Sequence, residues 1–178
     1  MTRTWTIAGS LTVEPAIERT ELLADPVAKA LTELEGEVGV AEIDPGLADT
    51  AALCAAYSFP LSAAANCVVL SGKRTGEVRY AAAMVLATTR VNNAIKRRID
   101  VRKISFAPMA EAVELTGMEY GGITPIGLPG DWPILVDKAV AEAPELVLGS
   151  GIRGSKLLVS GALVASLPGA EVVEGLGR

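Results

Sequence analysis

The sequence contains no histidine. That excludes a Ser-His-Asp triad, a Cys-His nucleophile pair and any histidine-ligated metal. Any catalysis must draw on carboxylates, lysine, hydroxyls, backbone dipoles or the substrate itself. Aromatic residues are scarce, at 4%. Half of the residues (50%) are hydrophobic, so the core must be built from Ala, Val, Leu and Ile. The two cysteines, Cys54 and Cys67, show no metal-type spacing. One falls in an Ala-rich helical stretch and the other in an apolar strand, so both read as buried, reduced thiols. Long hydrophobic runs are missing: a stretch such as Ala81 to Ala87 falls far short of the roughly 20 residues that cross a bilayer. Met1 to Trp5 leads into no apolar signal segment. A cytoplasmic location without membrane association is expected.

The residues that are present suit one folded domain. A chain of 178 residues is long enough to bury a sizeable core, and its hydrophobicity argues against disorder. The net charge of −5 argues against indiscriminate nucleic-acid binding. The charge is uneven, however. Glu14 to Asp49 is acidic, whereas Lys96 to Lys103 holds five cations (Lys96, Arg97, Arg98, Arg102, Lys103) and one anion, Asp100. Such a face suits phosphates. Taken alone, the stretch reads first as a solvated helix end, where cations favour the helix dipole.

Residues 1–20 are expected at the periphery. Asp25 to Glu35 reads as an amphipathic helix, with Asp25 as N-cap, Pro26 at N1 and Gly36 beyond its end. Val38 to Ile43 reads as a strand, and a helix starts at Asp49 or Thr50 and runs to Tyr57. Asn66 to Leu70 and Val78 to Ala87 read as strands joined by a turn over Ser71 to Gly76. A helix capped by Thr88 or Thr89 is expected through Asn92 and Asn93 to Arg98. Ser105 to Pro108 reads as a connection and Met109 to Leu115 as a helix closed by Gly117. Strands are then expected at Ile134 to Val136, Leu146 to Leu148, Lys156 to Val159 and Val172 to Val173, with helices at Asp137 to Glu142 and Ala162 to Leu167. The alternation predicts a single α/β domain with a mixed sheet surrounded by short helices.

Two glycine-rich segments stand out. Gly149-Ser150-Gly151-Ile152-Arg153-Gly154 matches G-x-G-x-x-G, and Glu174 lies 20 residues beyond Gly154, as in a dinucleotide fold. The next residues, Lys156 to Val159, read as strand rather than helix. Ser155-Lys156 also reverses the order a phosphate loop requires. The segment therefore reads as a hairpin loop. The second segment, Gly117 to Pro133, is a long loop of glycines and prolines, and loops of this length in small domains are usually functional. Within it, Gly121-Gly122-Ile123-Thr124-Pro125 could turn consecutive backbone N–H groups into one cavity, holding an oxyanion or a water without histidine. Taken alone, it is equally a structural turn.

Together, Thr116 to Gly127, Ile134 to Asp137 and Gly149 to Gly154 resemble, in order and spacing, the YbaK/ProX family of prolyl-tRNA-synthetase-associated aminoacyl-tRNA editing domains. The resemblance covers roughly residues 37–176. Residues 1–36 lie outside it and are expected as an N-terminal extension packed on a core of residues 37–178. The resemblance implies a free-standing domain that hydrolyses the ester of mischarged tRNA. It implies that the loop Gly121, Gly122, Ile123, Thr124 and Pro125 surrounds the ester, that Ser150 and Gly151 help line the pocket, and that Asp137 belongs to the substrate site. It also implies that the tRNA's own terminal hydroxyl helps activate water, with no cofactor and no metal.

Where the family usually has a lysine early in its first core strand, this chain has Asn66. Where some members have an acid after the second glycine loop, it has Lys156. Lys156 is thus a candidate replacement for the missing lysine, or a plain strand-end lysine. Arg97, Arg98, Arg102 and Lys103 become candidate acceptor-stem contacts, with Lys73 and Arg74 as weaker ones. The expected partner is the acceptor end of a tRNA, and an aminoacyl-tRNA synthetase is a second candidate. The oligomeric state is left open. Three readings stand: a deacylase for small amino acids such as Ala, Cys or Ser, discriminating by pocket size; a non-catalytic tRNA- or synthetase-binding module; and a nucleotide-binding protein using Gly149 to Gly154.

Overall fold

The computed structural model describes residues 3–47, 49–91 and 95–177. Among these, the strands form two sheets. The first is antiparallel and contains β1 (Val13–Pro15), β2 (Gly39–Glu42), β7 (Leu146–Gly149) and β8 (Ser155–Val159), in the order β1-β2-β8-β7. The second contains β3 (Ala65–Arg74), β4 (Glu77–Leu86), β5 (Ile104–Phe106), β6 (Ile134–Asp137) and β9 (Ala170–Val173), in the order β5-β3-β4-β6-β9. It is mixed: β3 pairs antiparallel with β4 and β5, while β6 runs parallel to both β4 and β9. The short helices are α1 (Asp25–Leu31), α2 (Thr50–Tyr57), α3 (Ile95–Arg98), α4 (Met109–Thr116), α5 (Lys138–Ala141) and α6 (Gly161–Ala165). The expected α/β domain is present, with its strands divided between two sheets rather than gathered in one.

β4 explains the division. Ala82 and Met84 on one face join Val40, Leu146, Leu148 and Leu157 of the first sheet in the largest core. Ala81, Ala83 and Val85 on the other face meet Ile95 and Ile99 at α3. A strand buried on both faces is apolar throughout rather than alternating, hence the run Ala81 to Ala87. Its three alanines leave little bulk between the layers, as a chain poor in aromatics requires. Met84 is fully buried, so truncating it to Ala would cost about 2–5 kcal/mol.

The other face of the first sheet is covered by α2 and by the N-terminal segment. Trp5, Leu11, Leu53 and Phe59 bury Ala41, Val147 and Leu158. α2 starts where Asp49 accepts a hydrogen bond from the Ala52 N–H at 3.2 Å, satisfying an otherwise unpaired helix donor. The expectation that residues 1–20 are peripheral is corrected. Trp5, Leu11 and Ala16 are buried, and β1 pairs with β2. The carboxylate of Glu145 accepts from the N–H of Thr6 (3.0 Å), the hydroxyl of Thr6 (2.6 Å) and the N–H of Ile7 (3.2 Å). These long-range contacts leave no periodic trace in a short segment.

Three further expectations change. The helix from Asp25 ends at Leu31, with Asp25 as its first residue and Ala24 as its cap. The β3–β4 turn is only Thr75-Gly76, both at positive φ (48° and 79°), as a two-residue hairpin of twisted strands prefers. Ser71 to Arg74 are strand because β4 pairs them on one side, and β5 takes Ser71 and Gly72 on the other. Gly72 marks a close approach rather than a turn: a Cβ there would lie 2.7 Å from the Lys103 carbonyl oxygen. Ser105 and Phe106, from the expected connection Ser105 to Pro108, instead join Ile104 in β5 because they close that edge. Of the helix expected from Thr88 to Arg98, the structure has Ile95–Arg98; Asn92 and Asn93 lie outside the described residues.

Candidate functional site

Gly117 ends α4 in the left-handed region (φ 68°), as helix ends often require. The chain then enters the loop 117–133, which is locked to the loop 149–154 through its backbone. The Glu119 N–H donates to the Gly151 carbonyl (2.8 Å), and the Gly151 N–H donates to the Gly122 carbonyl (2.7 Å). The Glu119 carboxylate accepts from the Arg153 N–H (2.8 Å). The two chains are too close for side chains. A Cβ at Gly122 would lie 2.6 Å from the Ile152 carbonyl oxygen, and one at Gly149 would lie 2.4 Å from that of Gly122. Gly149 to Gly154 is the expected hairpin loop, joining β7 to antiparallel β8.

A cavity of about 370 Å³ opens beside this junction. One wall is β3 from Ala65 to Val69, with Asn66 exposed. Others come from Phe106 at the end of β5 and Ala107 beyond it, Ala112 of α4, Tyr120, Gly121 and Ile123 of the first loop, and Gly149 and Lys156 of the second hairpin. The cavity thus gathers four of the expected site residues: Asn66, Gly121, Ile123 and Lys156.

The backbone of the Gly121–Pro125 loop divides its labour. The Gly122 N–H is spent on the Glu119 carbonyl (3.0 Å), and the Thr124 N–H points at the Met118 sulfur (3.5 Å). The N–H groups of Gly121 and Ile123, the two loop residues that line the cavity, meet no hydrogen-bond acceptor among the described residues. Gly121 takes a positive φ of 89°. Thr124 and Pro125 are buried behind the wall, and the Thr124 hydroxyl has no hydrogen-bond partner among the described residues. The loop can therefore offer two donors to a developing negative charge while its other amides hold it rigid.

Lys156 stands on β8 opposite Ala41 and Gly149. Burial holds its ammonium below the ordinary lysine range, with Cys54 pulling weakly the other way. Burial likewise pushes the Cys54 thiol up, against the pull of Lys156. Cys67 lines the cavity, yet burial pushes its thiol up to about 12, so at neutral pH it is a protonated wall rather than a nucleophile. Both cysteines are free, as expected.

The other expected residues lie outside the cavity lining. Ser150 is fully buried. Its hydroxyl donates to the Ser155 carbonyl (3.1 Å), stands 2.6 Å from the Ser155 hydroxyl and accepts from the Ile152 N–H (3.4 Å). It shapes the loop from within. Gly151 packs on Ala24, where a Cβ would come within 2.4 Å of the alanine methyl. Asp137, buried at the end of β6, sits beside Gly177, whose Cβ would lie 2.7 Å from its carboxylate. Arg98 is ion-paired with Glu171, and Arg74 with Asp100. Arg97, Arg102 and Lys103 are exposed on the stretch that leads into β5. Phe106, Tyr120 and Cys67 line the cavity and were not anticipated there.

The model of the aminoacyl-tRNA editing domain matches residues 44–167, well over half of the chain. None of the curated proteins matches the sequence. Among solved structures, a candidate trans-editing enzyme for prolyl tRNA synthetase is similar at 20% identity and a TM-score of 0.70, over 85% of this chain and 94% of that one. A hypothetical protein is similar at 20% identity and a TM-score of 0.74, over 86% of this chain and 100% of that one. These likenesses show a shared fold. The chain belongs to the aminoacyl-tRNA editing domain family. No helix among the described residues is long and apolar enough to cross a membrane.

Proposed function

We propose that the protein is a trans-acting aminoacyl-tRNA deacylase that removes a small amino acid from mischarged tRNA. The observation that carries this reading is the pair of uncommitted N–H groups, Gly121 and Ile123, on the wall of a cavity that also holds Lys156. Water adds to the ester carbonyl carbon, and the carbonyl oxygen gains negative charge that the two N–H groups stabilise. Collapse breaks the bond to the ribose oxygen, which leaves with a proton, freeing the amino acid and an intact tRNA end. The terminal ribose hydroxyl beside the ester helps to activate the water. Lys156, where the family's early strand lysine is replaced by Asn66, supplies the cation that holds the RNA end.

The cavity's size favours a small side chain. About 370 Å³ must take the terminal ribose as well as the amino acid, so bulk is excluded by volume, as in a second sieve that admits only small products. The editing unit spans residues 37–178, with residues 1–36 as an extension packed on it. The cytoplasm is the expected place of work, and a synthetase that produces the mischarged tRNA is the expected functional partner. Incubating the purified chain with Ala-tRNA(Pro), Cys-tRNA(Pro) and Ser-tRNA(Ala) tests the reading: release of one or two of these amino acids supports it. Binding of tRNA without release would favour a non-catalytic module, the alternative that Asn66 brings with it.

A further inference from the structure

We propose that Phe106 and Tyr120 form an aromatic clamp that stacks the unpaired 3′-terminal nucleobase of the RNA at the mouth of the cavity. This rests on the deacylase reading and names the part of the substrate that the rim takes. The chain has only two Trp, three Tyr and two Phe. Trp5, Phe59 and Trp132 are buried. The Tyr57 hydroxyl accepts from the Asp44 N–H (2.8 Å). Tyr80 stacks on Trp132 at 5.2 Å between ring centroids, and its hydroxyl donates to Glu111 (3.1 Å). Every other aromatic residue thus has structural work. Phe106 and Tyr120 are 74% and 55% exposed, and both line the same cavity. Among the described residues neither side chain has a hydrogen bond or ring contact.

Burial would favour both rings, so their exposure contributes nothing to the fold. They come from separate elements: Phe106 closes β5, and Tyr120 immediately precedes Gly121, whose N–H is one of the two free donors. Lys103 and Arg102 directly precede β5, and both are exposed. At about 3.3 Å per residue, Lys103 stands about 10 Å along the chain from Phe106. A cationic run leading to unpaired aromatic rings is the arrangement that single-stranded nucleic acid recognises: phosphates follow the cations and bases stack on the rings. A base held here would set its ribose, and the ester on it, against the glycine loop.

An uncharged RNA hairpin with an unpaired CCA end, carrying 2-aminopurine as its last base, tests the clamp without requiring hydrolysis. Stacking quenches 2-aminopurine. Binding to the wild-type chain should quench it, and the doubly substituted chain, Phe106→Leu with Tyr120→Leu, should bind about tenfold or more weakly and quench little. The conservative pair Phe106→Tyr with Tyr120→Phe should restore both. Both rings are exposed, so the variants should melt as the parent does. An unquenched wild-type complex, as expected if the rings serve a protein contact instead, would overturn the clamp, and so would full quenching by the leucine pair. Turnover measured on the same preparation separates the two claims: quenching without deacylation leaves the clamp standing and defeats the hydrolase, and deacylation without quenching does the reverse.

Discussion

The N–H of Gly151 donates to the carbonyl of Gly122 across 2.7 Å, tying the two glycine-rich loops together where neither chain has room for a side chain. Gly149 stands behind the same junction, with its Cβ position 2.4 Å from the Gly122 carbonyl oxygen. The loop that offers the free Gly121 and Ile123 amides is thus positioned mainly by backbone contacts, with the Glu119 carboxylate adding a hydrogen bond from the Arg153 N–H. Gly149→Ala should therefore cost about 1–3 kcal/mol in a urea melt and lower deacylation further than it lowers stability. Gly130→Ala is the control: a Cβ there meets nothing within 4 Å, and both properties should hold.

Lys156→Met should separate stability from activity. Burial penalises the charged amine, lowering its folded-state value below that of the unfolded chain. Below the folded value both states are charged, and the penalty is fully present. As pH rises from the folded value towards the unfolded one, the folded state sheds its proton first and the penalty disappears. The methionine variant should therefore be more stable than the parent at neutral pH, with the gain shrinking as pH approaches the ordinary lysine value. Its deacylation should be abolished. Unchanged turnover would remove Lys156 from the mechanism.

Glu145 should anchor the N-terminal segment in a pH-dependent way. Burial would raise its carboxyl, but the hydroxyl of Thr6 and the amides of Thr6 and Ile7 outweigh that and hold it below the usual carboxylate range. The stabilisation is complete above the unfolded carboxyl's value and is lost as pH falls through the folded one. Glu145→Gln should cost about 1–2 kcal/mol at neutral pH and nearly nothing in strong acid, as followed by Trp5 fluorescence.

RNA binding should weaken steeply with salt, and the exposed cations Arg97 and Arg102 should carry that dependence. Charge reversal at Arg97 and Arg102 should reduce the slope of log Kd against log salt by about one each. Arg98 is already paired with Glu171, so its reversal should change the slope less. An unaltered slope in the Arg97 and Arg102 variants would remove this face from the RNA contact.

Local pattern carried much of the fold. The run Ala81 to Ala87, the capped helix at Thr50 and the Gly117 stop each express their structure in adjacent residues. Where tertiary contact decides, the pattern misled. Gly72 read as part of a turn, yet it is glycine because Lys103 crosses it. Ile104–Phe106 is too short to announce itself as a strand without its partner β3. Trp5 and Leu11 are buried by residues distant in the chain, Ala41, Val147 and Leu158.

The site was legible in part for the same reason. The order and spacing of the glycine segments named the loops, and the structure brings Asn66, Gly121, Ile123 and Lys156 to one cavity. Ser150 carried a polar signal that its own loop consumes. Phe106 and Tyr120 left only the faint signal of two aromatic residues in a chain that has few. Cys67 lines the cavity although its apolar surroundings marked it for the core.

The most direct test of the proposed deacylase is single-turnover release of alanine from Ala-tRNA(Pro), and of cysteine and serine from their mischarged counterparts, by the purified wild-type chain. One or two of these amino acids should be released, at a rate that Lys156→Met abolishes. Absence of release from every one of them, with the RNA demonstrably bound, would contradict the assignment.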